Sequence, residues 1–453
     1  MELSLSEATN LVGGRMMGPD VRFSSVSIDT RNLRAGDLFV AIEGVNYDAH
    51  DFLDQAKKQG AAAVLVSRDS SVDLPLIRVD NTRSALGRLA RGWRQHCPIP
   101  LVGVTGSNGK TSVKEMLASI LGVGGDVLYT KANLNNDIGV PLTLLRLNES
   151  HRYAVIELGA NHFGEIAYTA GLALPDVVII TNAGSAHLEG FGSVDGVARA
   201  KGELVEALGE SGVAVLNADD PFFEFWKNLA GEREVISFGL SPAAEVRASE
   251  IAIKWQEDRF CNRFKLSYRD IQSEVTLQLA GSHNICNALS AAAAALVLGI
   301  GIEQIVEGLE QVRPVKGRME PVSGIQGSLL FDDTYNANPS SFEAAIDLVA
   351  QMPGEAWVIL GAFAELGESS AELHAEVGFF AKQNGITHLL ATGSDAAKAV
   401  ESFGDGGVYF EKQEDLIQAA KNSLHSQVVV LIKGSRSQKM ERVVDELREK
   451  GLN

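Results

Sequence analysis

From Pro98 onward the chain alternates short, nearly all-apolar runs with stretches of helical periodicity. This alternation restricts the fold more than any other feature. The runs 101–105, 153–158, 176–181 and 213–216 are apolar on both faces, as strands buried within a parallel sheet are. Helical patterns follow the first three, near 110–121, 164–171 and 194–208. Such βα units leave their loops at the carboxyl ends of the strands, where open α/β sheets bind ligands. The pattern then changes. The stretches 246–255, 260–268 and 274–279 are separated by polar turns and predict an antiparallel insertion at the edge of the same domain. A second α/β series begins after Val312, with strands at 329–333, 356–360, 388–391, 408–410 and 428–433, and predicts a separate doubly wound domain. The basic, proline-containing segment 313–317 is the expected linker. The first ~95 residues form a third α/β unit, with strands at 26–28, 37–41, 63–66 and 76–79 and a helix near 51–59. The expected boundaries are 1–97, 98–312 and 313–453, and 453 residues suit about three domains.

Charge and cysteine content narrow the function. A net charge of −18 argues against a general nucleic-acid binder, although a local anion site is compatible with an acidic surface. Cys97, Cys261 and Cys286 are odd in number and widely spaced, which indicates neither a disulfide framework nor a zinc site and fits a reducing cytoplasm. The N-terminal stretch lacks the basic-then-apolar order of a signal peptide. The Ala-rich stretch 288–302 is interrupted and too short to span a bilayer, so a buried helix is expected and no membrane partner.

The sharpest motif is Gly106-Ser107-Asn108-Gly109-Lys110-Thr111-Ser112, with a buried strand running in and a helix running out. Backbone N–H groups at such a turn face an anion, and the helix dipole favours negative charge there. Lys110 can reach β- and γ-phosphates, and the Thr111 hydroxyl can hold Mg²⁺. Val104 stands where the longer Walker spacing has a glycine, so the loop is a shortened variant. Glu157 ends a neighbouring strand and His187 follows another, on the same sheet edge. A carboxylate suits Mg²⁺, whereas imidazole is unusual for it. Taken alone, a strand-end glutamate more often makes a salt bridge, and a loop histidine is more often solvated or capping. Lys201, inside a helical pattern, reads on composition as an exposed lysine.

Taken together and in order, these motifs resemble the Mur ligase family, over essentially the whole chain. Thr105 to Thr111 is similar to its ATP loop, and Glu157-Leu158-Gly159 and Ala186-His187-Leu188-Glu189 to its metal-binding stretches. The segment 281–288 is similar to the one that contacts adenine, with Asn284 and Asn287 as donors; Gly317-Arg318-Met319-Glu320 is similar to the hinge arginine motif, and Lys433-Gly434-Ser435-Arg436 closes the set. The segments 27–31, 36–41 and 48–52 resemble the uridine-nucleotide domain of the two last-acting members. The loop 133–137 and the segments 332–341 and 365–368 resemble the member that adds D-alanyl-D-alanine, and an Asp-Asn-Pro-Arg motif typical of the third-residue ligase is absent. One departure stands out: Ala362-Phe363 replaces the usual Asp-Met, so any role of that acid does not carry over.

The resemblance implies three α/β domains: a small N-terminal one for the uridine nucleotide, a central P-loop domain with the antiparallel insertion, and a Rossmann-like C-terminal domain that binds the incoming dipeptide and closes on ATP. It implies an ADP-forming carboxylate–amine ligase adding D-alanyl-D-alanine to a UDP-linked muramoyl tripeptide in peptidoglycan precursor synthesis. Lys110, Glu157, His187, Lys201 and Arg318 would be catalytic. Arg318 and Asp333 would contact the nucleotide, and two Mg²⁺ ions are expected. Thr111 would hold one; Glu157, His187 and Lys201 would hold the other, with Lys201 as a carbamate or as a plain lysine on the γ-phosphate or substrate. Ser27, Thr30, Arg31, Asn136, Asn336, Ser435 and Arg436 would face the substrates. A monomer is implied, with closure by a hinge near 313–318 when ATP and the uridine substrate bind. The alternatives are another Mur-type or folylpolyglutamate-type ligase, and a P-loop NTPase that forms no bond.

Overall fold

The computed structural model describes residues 1–44, 46–256 and 259–449. Its main sheets fall in three successive stretches of chain. The central sheet has nine strands in the order Ile271–Leu277, Arg259–Tyr268, Val246–Gln256, Glu234–Gly239, Val213–Asn217, Val177–Ile180, Leu101–Thr105, His151–Glu157, Asp126–Tyr129. The strands from Val246–Gln256 to Asp126–Tyr129 pair in parallel. The outer three form the expected antiparallel insertion, joined to the parallel part by the short pairing Phe238↔Val246 and Gly239↔Arg247. Leu101–Thr105 lies inside the sheet, and all five of its residues are buried. It is flanked by the strands that lead to Glu157 and to His187, so one sheet edge gathers all three loops.

Helices cover both faces. The helix Lys110–Gly122 packs beneath Ser282–Val297, whose alanines from Ala291 to Ala295 have no exposed surface. The stretch expected as one buried helix is therefore the end of this helix, a break at Gly299–Gly301, and the start of a second helix, Ile302–Gln311. The helix Ile302–Gln311 crosses the helix Lys110–Gly122 so closely that a Cβ on Gly308 would lie 2.3 Å from the Ile120 Cα. Among the described residues no helix is long and apolar enough to cross a membrane.

The last sheet runs Glu320–Ser323, Leu329–Asp333, Val428–Lys433, Glu355–Gly361, His388–Thr392, Gly407–Phe410, parallel except at its first strand. That first, antiparallel strand is absent from the sequence expectations. The first unit holds a five-stranded sheet, Arg15–Met17, Leu76–Arg78, Ala63–Val66, Leu38–Val40, Val26–Ser27, parallel after its first pair. The helix Thr82–His96, also unexpected, joins this unit to the central one. It lies against helices of both, and one apolar cluster runs continuously from Leu5 through Leu86 and Leu89 to Ile156 and Trp226.

Candidate functional site

The strand Leu101–Thr105 ends in a turn that only glycine can make. Gly106 has φ +149°, and a Cβ there would lie 1.8 Å from the Thr181 hydroxyl. Gly109 has φ +82°, and a Cβ would meet the Asn287 Oδ1 at 2.3 Å. The turn is held to the neighbouring loop. The Thr181 hydroxyl donates to the Asn108 carbonyl at 2.6 Å, the Asn108 N–H to Asn182 Oδ1 at 2.9 Å, and the Gly184 N–H to the Ser107 hydroxyl at 2.9 Å. Asp220, whose carboxyl burial pushes up, steadies that loop by accepting from the Ala183 N–H at 2.8 Å. Lys110 folds back on the turn and donates to the carbonyls of Gly106 at 2.6 Å and Ser107 at 3.2 Å. Burial lowers its pKa, the Glu157 carboxylate pulls it back up, and the Arg318 guanidinium lowers it further.

Glu157 is 3% exposed and is held by neutral donors: the Thr111 hydroxyl on Oε2 at 3.0 Å and the Asn135 amide on Oε1 at 2.8 Å. Arg318 reaches across from the junction, donating to the Thr111 hydroxyl at 2.9 Å while its guanidinium lies 4.3 Å from the centre of the Tyr335 ring. Its Nε is buried and has no hydrogen-bond partner among the described residues. Thr111 and Glu157 thus present hard oxygens beside two cations. That suits Mg²⁺, which takes one or two protein oxygens and completes its shell with phosphates and water.

These groups line a cavity of about 650 Å³ shared by the central and last sheets. Ser107 to Ser112, Asn136, Glu157, His187, Asn284, Asn287, Arg318, Asp333 and Asn336 all face it. So do Asn135, His283, Asn338, Ser340 and Lys433, which lie in segments carrying the family resemblance but were not individually expected as site residues. Asn284 and Asn287 are bonded to each other at 3.2 Å. Burial holds His283 below the usual imidazole range, against the pull of Asp333. Asp333 pairs with the buried Lys433, which also donates to the Asn336 carbonyl at 3.2 Å. The N-terminal turn of the helix Pro339–Val349 meets the phosphate loop: Asn108 donates to the Ser340 hydroxyl at 3.0 Å and accepts from the Asn338 amide at 2.9 Å.

The three side chains expected at a second metal make separate contacts. Glu157 is bonded as described, His187 pairs through Nδ1 with Glu365, and Lys201 lies under the Phe191 ring, 5.5 Å from its centre. The reading of Lys201 as an exposed helical lysine is wrong. It is 1% exposed, because its helix turns that face inward. Burial, then the Lys110 charge, lower its pKa to about 7.

The remaining expected residues lie apart from the cavity. The Ser27 hydroxyl donates to the Asp29 carbonyl at 2.9 Å, Thr30 is buried, and Arg31 pairs with Asp29 at 2.6 Å on the first unit. The Ser435 hydroxyl donates to the Ala362 carbonyl at 2.8 Å, and Arg436 pairs with Glu441 at 3.2 Å. Phe363, where the sequence departs from the family pattern, packs in the core at 5.9 Å from Phe342 and 5.2 Å from His374.

A glycine turn between a buried strand and a helix, a carboxylate and threonine beside its lysine, and an arginine arriving from a second sheet define a nucleotide-phosphate-binding α/β protein with an interdomain site. Comparison with known proteins gives the family. The Mur ligase middle domain matches residues 104–295, the Mur ligase glutamate ligase domain 317–436, and the Mur ligase family catalytic domain 22–94. The UDP-N-acetylmuramoyl-tripeptide–D-alanyl-D-alanine ligase of Escherichia coli K12 is 44% identical over 100% of this chain and 99% of its own. MurF from Acinetobacter baumannii has the same fold, with a TM-score of 0.94 at 36% identity over 99% of each chain. MurF ligase from Thermotoga maritima, solved in complex with ADP, gives a TM-score of 0.83 at 29% identity over 93% of this chain and 96% of that one. The chain belongs to the Mur ligase family.

Proposed function

We infer that this protein is an ATP-dependent ligase that adds D-alanyl-D-alanine to UDP-N-acetylmuramoyl-tripeptide. The observation that carries the chemistry is the bond from Arg318 to Thr111, which brings the junction's guanidinium to the phosphate loop beside Lys110 and Glu157. The end-to-end likeness to the Escherichia coli relative supports the choice of substrates.

Amide formation from a free carboxylate is uphill in water, so the carboxylate must first be activated. The γ-phosphoryl of ATP passes to the tripeptide carboxylate, giving an acyl phosphate and ADP. The dipeptide amine then attacks the acyl carbon and phosphate leaves. The chain's part is positioning and charge neutralisation. Lys110 and the loop N–H groups hold the β- and γ-phosphates, Arg318 and Asp333 fix the nucleotide from the junction side, and Asn284 and Asn287 offer donors to adenine. Thr111 and Glu157 would hold Mg²⁺, which spreads the phosphate charge. A second ion would need Glu157, His187 and Lys201 to converge, with Lys201 as a carbamate; an amine that is neutral near pH 7 can add carbon dioxide, and the depressed pKa of Lys201 supports that reading. Residues 1–97 would take the uridine nucleotide through Ser27, Thr30 and Arg31. Residues 98–312 would bind ATP. Residues 313–453 would take the dipeptide near Asn336, Ser435 and Arg436, with Asn136 facing the substrate from the central unit. The bonds from Asn108 to Ser340 and Asn338 support closure of the last unit over the phosphates. We place the protein in the cytoplasm as a monomer, in peptidoglycan precursor synthesis that supports cell shape and division.

The test is direct. With ATP, Mg²⁺, the uridine-linked muramoyl tripeptide and D-alanyl-D-alanine, the expected products are pentapeptide, ADP and phosphate. Efficient use of single amino acids, with the dipeptide refused, would overturn the substrate assignment.

A further inference from the structure

Glu365 has no role in the chemistry above, yet it makes the most specific contact between the last unit and the metal-binding stretch. Its Oε2 lies 2.5 Å from His187 Nδ1, and its backbone carbonyl accepts from the Glu189 N–H at 3.1 Å. The two partners are 178 residues apart in sequence. Both have left-handed backbones, φ +56° at His187 and φ +62° at Glu365, although neither is glycine. Such conformations are disfavoured for side chains with a Cβ and persist where the surrounding structure enforces them. Here two of them face each other across one contact. His187 lines the cavity, whereas Glu365, which holds its Nδ1, is not among the lining residues. With Nδ1 engaged, Nε2 is the ring nitrogen left for the cavity.

We propose that Glu365 is a positioning residue, which fixes the His187 ring through Nδ1 so that Nε2 is presented to the reacting phosphate or its cation. A carboxylate behind an imidazole selects the tautomer with hydrogen on Nδ1 and leaves the Nε2 lone pair free to ligate or accept. The carboxylate comes from the last unit, so the imidazole is oriented only when that unit is docked. This proposal rests on the ligase reading for its consequence, but not for its geometry.

The experiment uses the full chain with ¹⁵N-labelled histidine, at about pH 8, where an ordinary imidazole is neutral. The His187 signal is identified by its loss in His187→Asn. The wild type is expected to show hydrogen on Nδ1 and a bare Nε2. Glu365→Ala removes a half-exposed side chain and leaves the backbone contact to Glu189. It should return His187 to the tautomer mixture of free imidazole, while small-angle scattering stays unchanged. Turnover should fall by about 10- to 100-fold with the KM for ATP little altered. An unchanged tautomer in Glu365→Ala would overturn the proposal. So would an opened scattering profile, which would make Glu365 a docking contact, or a shifted tautomer at full turnover. A wild type without ligase activity would strike the function assigned above and leave the tautomer result standing.

Discussion

Lys201→Met should make the protein more stable, and by an amount that depends on pH. Lys201 is 1% exposed, and burial lowers its pKa from the ordinary 10.5 to about 7. At about 1.4 kcal/mol per tenfold change in proton affinity, the charged form is disfavoured in the fold by at most about 5 kcal/mol. The sign follows from linkage. Between about pH 7 and 10.5 the unfolded chain holds the proton and the folded one does not, so stability rises with pH across that window. Below it the full penalty applies; above it none remains. Methionine has a similar volume, carries no charge and packs well on an aromatic ring such as Phe191. The gain should therefore be largest below pH 7, reach several kcal/mol, and shrink towards pH 10. Urea unfolding in carbon-dioxide-free buffer measures it, followed by tryptophan fluorescence. Trp226 is buried with its indole N–H on the Ala198 carbonyl at 2.9 Å, in the same helix as Lys201. Adding bicarbonate near pH 8 should stabilise the wild type and not the variant, because only the lysine forms a carbamate. Stability curves of wild type and variant that stay parallel from pH 6 to about 10 would refute the reasoning.

Two further substitutions probe the phosphate loop. Lys110→Ala removes positive charge where phosphate charge concentrates, so turnover should fall by about 100- to 1000-fold with the fold retained by circular dichroism; wild-type turnover would sink the loop's assignment. Gly109→Ala places a Cβ 2.3 Å from Asn287 Oδ1 at φ +82°, so calorimetry should find ATP affinity weakened roughly tenfold or more; an unchanged affinity would show that the turn and the Asn287 segment do not act together.

Much of the architecture is legible in local sequence. Runs such as Leu101–Thr105 and Val428–Lys433 are buried along their whole length, and burial on both faces leaves an apolar run that needs no partner to be recognised. The phosphate turn is equally local, because glycine spacing and Lys110-Thr111 carry it. Other elements leave weak signals. The strand Asp126–Tyr129 has one buried residue of four, and Glu320–Ser323 has none. The helix Thr82–His96 holds Gly87 and Gly92, which disfavour a helix. Each is there because a neighbour needs the space: a Cβ would meet the Tyr168 hydroxyl at 2.4 Å or Leu11 Cδ2 at 2.5 Å.

The site divides the same way. Lys110, Thr111 and Glu157 follow from strand ends on one sheet edge. What no local pattern contains is the pairing of Asn108 with Ser340 across 232 residues, of Arg318 with Thr111 across 207, and of His187 with Glu365 across 178. The inward turn of Lys201 is of the same kind, since the sequence around it reads as an exposed helix face. Side-chain type and spacing report the neighbours within one turn or one strand. Partners that meet through the packing of two sheets on either side of a junction are set by how the apolar faces fit together, and the polar contacts follow from that fit.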